Sequence, residues 1–131
     1  MYQITVNRTF AASHAIRLYD GALEPLHGHN WPVEVTIAAD ELDAMETVMD
    51  FHILEQALDQ LLAQVHNKHL NDVEPFRSQG VNPSAERVAW WIGREITRCV
   101  NQASTGKPDR NLRLHSVRVG EAPGCFAAFF P

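Results

Sequence analysis

Apolar and polar residues alternate at the start of the chain, with Tyr2, Ile4 and Val6 set against Gln3, Thr5 and Asn7. A period of two predicts a half-buried strand. Val33, Val35 and Ile37 alternate with Glu34, Thr36 and Ala38 and predict a second strand, which would pair with the first as a long hairpin. Residues 11–31 between them hold Gly, Pro and three His with no clean period, and read as a functional loop. After Asp50, whose carboxylate can cap a helix, Ile53, Leu54, Ala57, Leu58, Leu61, Leu62 and Val65 recur at helical spacing. Residues 66–81 are polar and irregular and read as a second loop. Asn82-Pro83 looks like an N-cap followed by a first-turn proline. Val88, Ala89, Trp91, Ile92, Ile96 and Cys99 then carry a second helix to about Asn101. Leu112, Leu114, Val117 and Val119 predict a third strand whose register slips near His115. The run from Cys125 to Phe130 predicts a fourth. The order ββααββ points to an α+β fold, with both helices on one face of an antiparallel sheet.

A chain of 131 residues suits one domain, taken as 1–131. It buries only about two-thirds of its unfolded surface, which leaves little room for a deep pocket within one copy. A substrate site shared between subunits follows as an expectation. The net charge of −5 and the scattered Lys and Arg argue against nucleic-acid binding, which needs a concentrated basic face. No apolar run approaches the ~20 residues of a membrane span, and the start of the chain has no apolar stretch of the signal-peptide kind. Cys99 and Cys125 are too few for a disulfide framework and read as reduced thiols. A cytoplasmic protein is expected.

His27-Gly28-His29 is the sharpest local feature. In an extended segment, residues two apart point to one side, so both imidazoles can meet one metal, and Gly28 leaves the approach clear. His14 could supply a third nitrogen. Three neutral His ligands leave one position of a tetrahedral zinc open, the arrangement of a catalytic metal site. By itself the spacing is also that of ordinary surface histidines. His52 and His115 read as surface or packing residues. His66 and His69 could be simple helix-end cations.

Phe10-Ala11-Ala12-Ser13-His14 followed by Leu26-His27-Gly28-His29-Asn30-Trp31 resembles the 6-pyruvoyl-tetrahydropterin synthase / 6-carboxytetrahydropterin synthase family. The order is kept by Val48-Met49-Asp50-Phe51, His69-Leu70-Asn71-Asp72, Asn82-Pro83-Ser84-Ala85-Glu86 and Val117-Arg118-Val119-Gly120-Glu121-Ala122-Pro123. The resemblance implies zinc held by His14, His27 and His29, and a substrate of the 7,8-dihydroneopterin triphosphate type. It also implies the tunnelling fold, in which ββααββ subunits join their sheets into a barrel and two trimers stack as a homo-hexamer. Glu121 matches the glutamate that anchors the pterin, a role suited to a carboxylate accepting two N–H bonds. Ser84 matches a hydroxyl beside the pterin, and as a residue at a helix start it is equally a cap.

Two departures bear on the reaction. The cysteine base that precedes His-Gly-His in better-known branches is absent, and Glu24 stands three residues before His27 instead. That pattern resembles the folate branch, which cleaves the side chain to give 6-hydroxymethyl-7,8-dihydropterin. The family's Asp-His pair is replaced by His66-Asn67, and Asn carries no proton at neutral pH. Catalytic roles are therefore expected of Glu24, with His66 or His69 as substitutes in the proton relay. The resulting expectation is a zinc-dependent lyase of pterin metabolism. The alternative is a catalytically weak pterin- or metal-binding paralogue.

Overall fold

The computed structural model describes residues 1–131. Five strands form one sheet in the order β3-β1-β2-β4-β5. The first two are β1 (Tyr2–His14) and β2 (His27–Ala39), paired antiparallel from Tyr2 opposite Ala39 to His14 opposite His27. The hairpin is longer than the sequence pattern suggested. Much of the 11–31 stretch is strand, and the true loop is 15–26. The alternation there is hidden because His14 and His29 occupy inward positions where apolar residues were sought.

Helix α1 (Phe51–Leu62) starts where Asp50 accepts the His52 N–H at 2.9 Å, the predicted cap. It buries Leu54, Leu58, Leu61 and Leu62, while Ile53, expected on the apolar face, is 42% exposed. The chain then forms a two-residue strand, β3 (Lys68–His69), parallel to Ala12 and Ser13 of β1. This element makes the sheet mixed where an antiparallel one was expected. It is too short to show any period. Asn67, at φ 58°, turns the chain into it, a conformation Asn tolerates better than most residues.

Helix α2 (Ala85–Ser104) is capped by Ser84, whose Oγ accepts the Arg87 N–H at 3.3 Å. The Asn82-Pro83 cap reading is therefore two residues early; Asn82 is used elsewhere. Val88, Ala89, Ile92, Ile96 and Val100 point into the core. Strands β4 (Arg113–Ala122) and β5 (Cys125–Phe129) complete the sheet. Thr36 pairs with Ser116 and Ile37 with Leu114, so His115 is an unpaired bulge residue, where the slip was expected. The core is continuous from Phe10, Trp31, Val35 and Ile37 on the sheet to Leu54, Leu58 and Ile92 on the helices. Fully burying each such side chain contributes about 1.5–3 kcal/mol.

Candidate metal centre

His14 and His27 face each other at the end of the β1–β2 hairpin, and His29 lies two residues further along the same face. His14 is fully buried, and His14 Nε2 lies 3.0 Å from His27 Nε2. The wall behind them is aromatic. The Trp31 ring meets His14 edge-on at 4.8 Å and His29 at 5.4 Å, and Trp31 is itself stacked on Phe10 at 5.8 Å. Trp31 Nε1 donates to Ala12 O at 3.1 Å, which fixes that wall.

The far ring nitrogens are committed. Nδ1 of His14 donates to Pro83 O at 2.7 Å, and Nδ1 of His27 donates to Pro25 O at 2.9 Å. A carbonyl accepts only, so in the neutral rings both Nε2 atoms present lone pairs to the same small space. His29 Nε2 is buried with no hydrogen-bond partner. Burial, and next the proximity of His14, hold the His29 imidazole below its ordinary pKa, which favours the neutral, ligating form.

Glu121 completes the group. Its Oε1 lies 3.0 Å from His14 Nε2 and 3.4 Å from His29 Nε2. The four donor atoms of His14, His27, His29 and Glu121 all lie within 4.8 Å of one another. An orphaned buried nitrogen, two oriented imidazoles and a carboxylate make a donor set that fits a divalent ion such as Zn²⁺.

Glu24 stands beside this group. Its backbone N–H donates to Ile16 O at 2.9 Å, and its Oε1 accepts the Ile16 N–H at 3.0 Å. The same Oε1 is 3.9 Å from His27 Nε2. The other two catalytic candidates are not brought to the group. His66 Nδ1 accepts the Ala11 N–H at 3.1 Å, and His69 Nδ1 is paired with Ser13 Oγ at 3.3 Å. Ser13 alternates with His14 along β1, so His69 sits on the reverse face of the sheet, in an open cleft of about 530 Å³ whose lining also includes Gly28, His29, Asn30 and Lys68. Ser84 follows directly on Pro83, the residue that holds His14. Cys99 and Cys125 are free and outside the group, and burial pushes the Cys99 thiol up.

Two asparagines act in ways the sequence reading did not foresee: Asn71 figured only in a matching run, and Asn82 was read as a helix cap. Asn71 accepts the Ala15 N–H at 2.9 Å and donates to Ala15 O at 2.8 Å. Asn82 does the same to Arg17, at 2.8 and 3.0 Å. Their side-chain amides act as rungs that continue β1 past His14 and steer the chain toward Glu24. Only the three-dimensional pairing reveals this use of an amide.

Residues 3–131 match the 6-pyruvoyl tetrahydropterin synthase family. The chain belongs to that family. Within it, the 6-carboxy-5,6,7,8-tetrahydropterin synthase of Synechocystis is 32% identical over 135 residues, covering 99% of this chain and 94% of the relative. The 6-pyruvoyl tetrahydropterin synthase of Caenorhabditis elegans has the same fold, with a TM-score of 0.73 at 21% identity over 100% of this chain and 97% of that one. The Plasmodium vivax 6-pyruvoyltetrahydropterin synthase, solved with a catalytic glutamate replaced by alanine, superposes with a TM-score of 0.76 at 18% identity, covering 99% and 97%. The tunnelling-fold subunit expected from the family motifs is thus the one observed.

Proposed function

We propose that this chain is a zinc-dependent lyase acting on 7,8-dihydroneopterin triphosphate or a close pterin. The observation that carries this reading is the group His14, His27, His29, with oriented lone pairs and an orphaned His29 Nε2, in a chain of a pterin-enzyme family. These three histidines would hold the metal, which when bound polarises the side-chain hydroxyls of the pterin and lowers their pKa.

The protein's own groups do the rest. Glu121 accepts N–H bonds from the 2-amino edge of the ring. The Ser84 hydroxyl, which accepts the Arg87 N–H, keeps its own proton to donate to the pterin. Glu24, held by Ile16 through one carboxylate oxygen, has the other to take a proton from substrate. The fitting reaction is a retro-aldol cleavage. Glu24 takes the proton from the hydroxyl on the second side-chain carbon, and that carbon becomes an aldehyde as its bond to the first carbon breaks. The electron pair delocalises into the ring, and the first carbon regains a proton from Glu24. The product is 6-hydroxymethyl-7,8-dihydropterin. The catalytic glutamate named in the Plasmodium vivax relative supports a carboxylate in this role.

A homo-hexamer, a dimer of trimers, belongs to the same reading. Below Ala11 the outer edge of β1 has no strand beside it, and β5 forms the opposite edge; joining such edges between copies removes an aggregation hazard. A monomer by light scattering at micromolar concentration would refute it. The commitment of His66 to Ala11 and of His69 to Ser13 favours the second reading, a pterin-binding paralogue with little turnover. Mass spectrometry of the zinc-loaded protein after incubation with 7,8-dihydroneopterin triphosphate separates these outcomes. The expected product is the hydroxymethyl pterin. Pyruvoyl or carboxy products would reassign the branch, and recovery of unchanged substrate would establish the paralogue.

A further inference from the structure

Gly28 is a glycine that the fold does not require. It lies in β2 outside the left-handed backbone region. A Cβ built on it would meet only Ala12 O, at 3.8 Å, an ordinary van der Waals distance. Alternation turns the absent side chain away from the faces of His27 and His29 and onto the reverse face of the sheet. There Gly28 pairs with Ser13, and Asn30 with Ala11. The space that Gly28 leaves belongs to the open cleft of about 530 Å³. Neither backbone nor packing calls for glycine at this position, so what the glycine supplies is room in the cleft.

The lining of that cleft has one sign of charge. Ser13, Asn30, Asn67, Lys68 and His69 contribute to it and no carboxylate does, although acids outnumber Lys and Arg by 16 to 11 in the chain. Lys68 is exposed, and the Lys/Arg ion pairs of the chain all belong to arginines, so its ammonium is free to turn into the cleft on a flexible stem. His69 Nδ1 is paired with Ser13 Oγ at 3.3 Å. With the Ser13 hydroxyl donating, the neutral ring carries its proton on Nε2 and can donate from there.

We propose that this cleft is a polyphosphate-binding site. Gly28 gives the room, Lys68 the positive charge, and the Asn30 and Asn67 amides with His69 Nε2 the N–H donors. An open cleft of this size has room for more than a single phosphate. It faces away from His14 and Glu121, so a polyphosphate reaches it either as a free anion or as the triphosphate tail of a pterin held by a neighbouring copy. Only the second source rests on the pterin and hexamer readings above.

The test is calorimetric titration of the full chain with inorganic triphosphate, in the metal-free and the zinc-loaded forms, with zinc content checked afterwards. Binding of similar strength is expected in both. It should weaken roughly 10–100-fold in Lys68→Ala, the usual loss with one hydrogen bond to a charged group. Gly28→Val, which fills the cleft without changing its charge, should weaken it as well. No binding of triphosphate, binding only in the zinc form, or native affinity in folded Lys68→Ala and Gly28→Val proteins would overturn the site. Neopterin and neopterin triphosphate then separate the two sources on the zinc form. If the cleft takes the tail, neopterin triphosphate binds more tightly than neopterin, loses that margin in Lys68→Ala and is displaced by inorganic triphosphate. Equal affinities that inorganic triphosphate leaves unchanged assign the cleft to the free anion. If neither pterin binds while inorganic triphosphate does, the pterin reading fails and the polyphosphate site stands.

Discussion

Pro83 O accepts the Nδ1–H of the fully buried His14 at 2.7 Å, so a residue just ahead of α2 sets the tautomer of a histidine on β1. Its neighbour Asn82 fixes that segment through two bonds to Arg17. Asn82→Ala should leave the protein folded yet lower zinc affinity about tenfold, the lower end of losses seen for partners behind a ligand. Chelator competition beside a far-ultraviolet spectrum reads both. Undiminished zinc binding would show that Pro83 keeps its place without the asparagine.

One zinc per chain is expected in the native protein. The double variant His27→Ala/His29→Ala should lose it, with the hairpin retained because its pairing runs on from these residues, at the loop end, to Tyr2 opposite Ala39. Elemental analysis after exhaustive dialysis decides. Stoichiometric zinc in the double variant would end the assignment.

Glu24→Gln should keep zinc and neopterin binding but slow turnover by roughly 10²–10⁴-fold, the contribution of a positioned acid–base group. His69→Ala, on the reverse face beside Ser13, should slow it far less. Normal turnover in Glu24→Gln with a dead His66→Ala or His69→Ala would move the proton relay to the segment after α1.

Acid stability should depend on the end of β2. Asp40 accepts from Asn111 at 2.8 Å and from Arg113 at 3.0 Å, and these bonds hold its carboxyl below the ordinary aspartate value. Asp43 is held low chiefly by the Thr47 backbone N–H. A depressed folded-state pKa adds stability that is complete above the unfolded value, about 3.9, and is lost as pH falls through the folded one. Thermal midpoints should therefore fall below about pH 4, and the fall should be shallower in Asp40→Asn and Asp43→Asn than in the native protein. Parallel acid limbs would show that neither carboxylate matters.

The ββααββ order, the Asp50 cap and the bulge at His115 were legible because each leaves a local trace: a period, a capping side chain, a slip in alternation. The His14–His27–His29 group was legible from two residues of spacing and a set of family motifs. Four things were not. β3 has two residues and no period to show. Ile53 fits the apolar stripe of α1 yet stays exposed, since the helix buries Leu54, Leu58, Leu61 and Leu62 instead. The separation of His69 from His14 depends on which face of β1 each side chain takes, and the alternation that decides it begins only once the strand is known to run as far as His14. Glu121 was named for its motif, but its approach to the histidines comes from a fault in the β4–β5 pairing between Gly120 and Ala122, which no single-strand pattern encodes.

The two amide rungs of Asn71 and Asn82 also divide their stretch of chain into parts with different freedom. Each asparagine grips β1's continuation independently, one at Ala15 and the other at Arg17. The residues between them, 72–81, are tethered at both ends and carry no part of the His group. Their length is therefore open to change: added or removed residues near Ser78–Gly80 would enlarge or shrink a surface excursion without transmitting the difference to His14. Variation in that excursion would leave the donor atoms of the metal group in register.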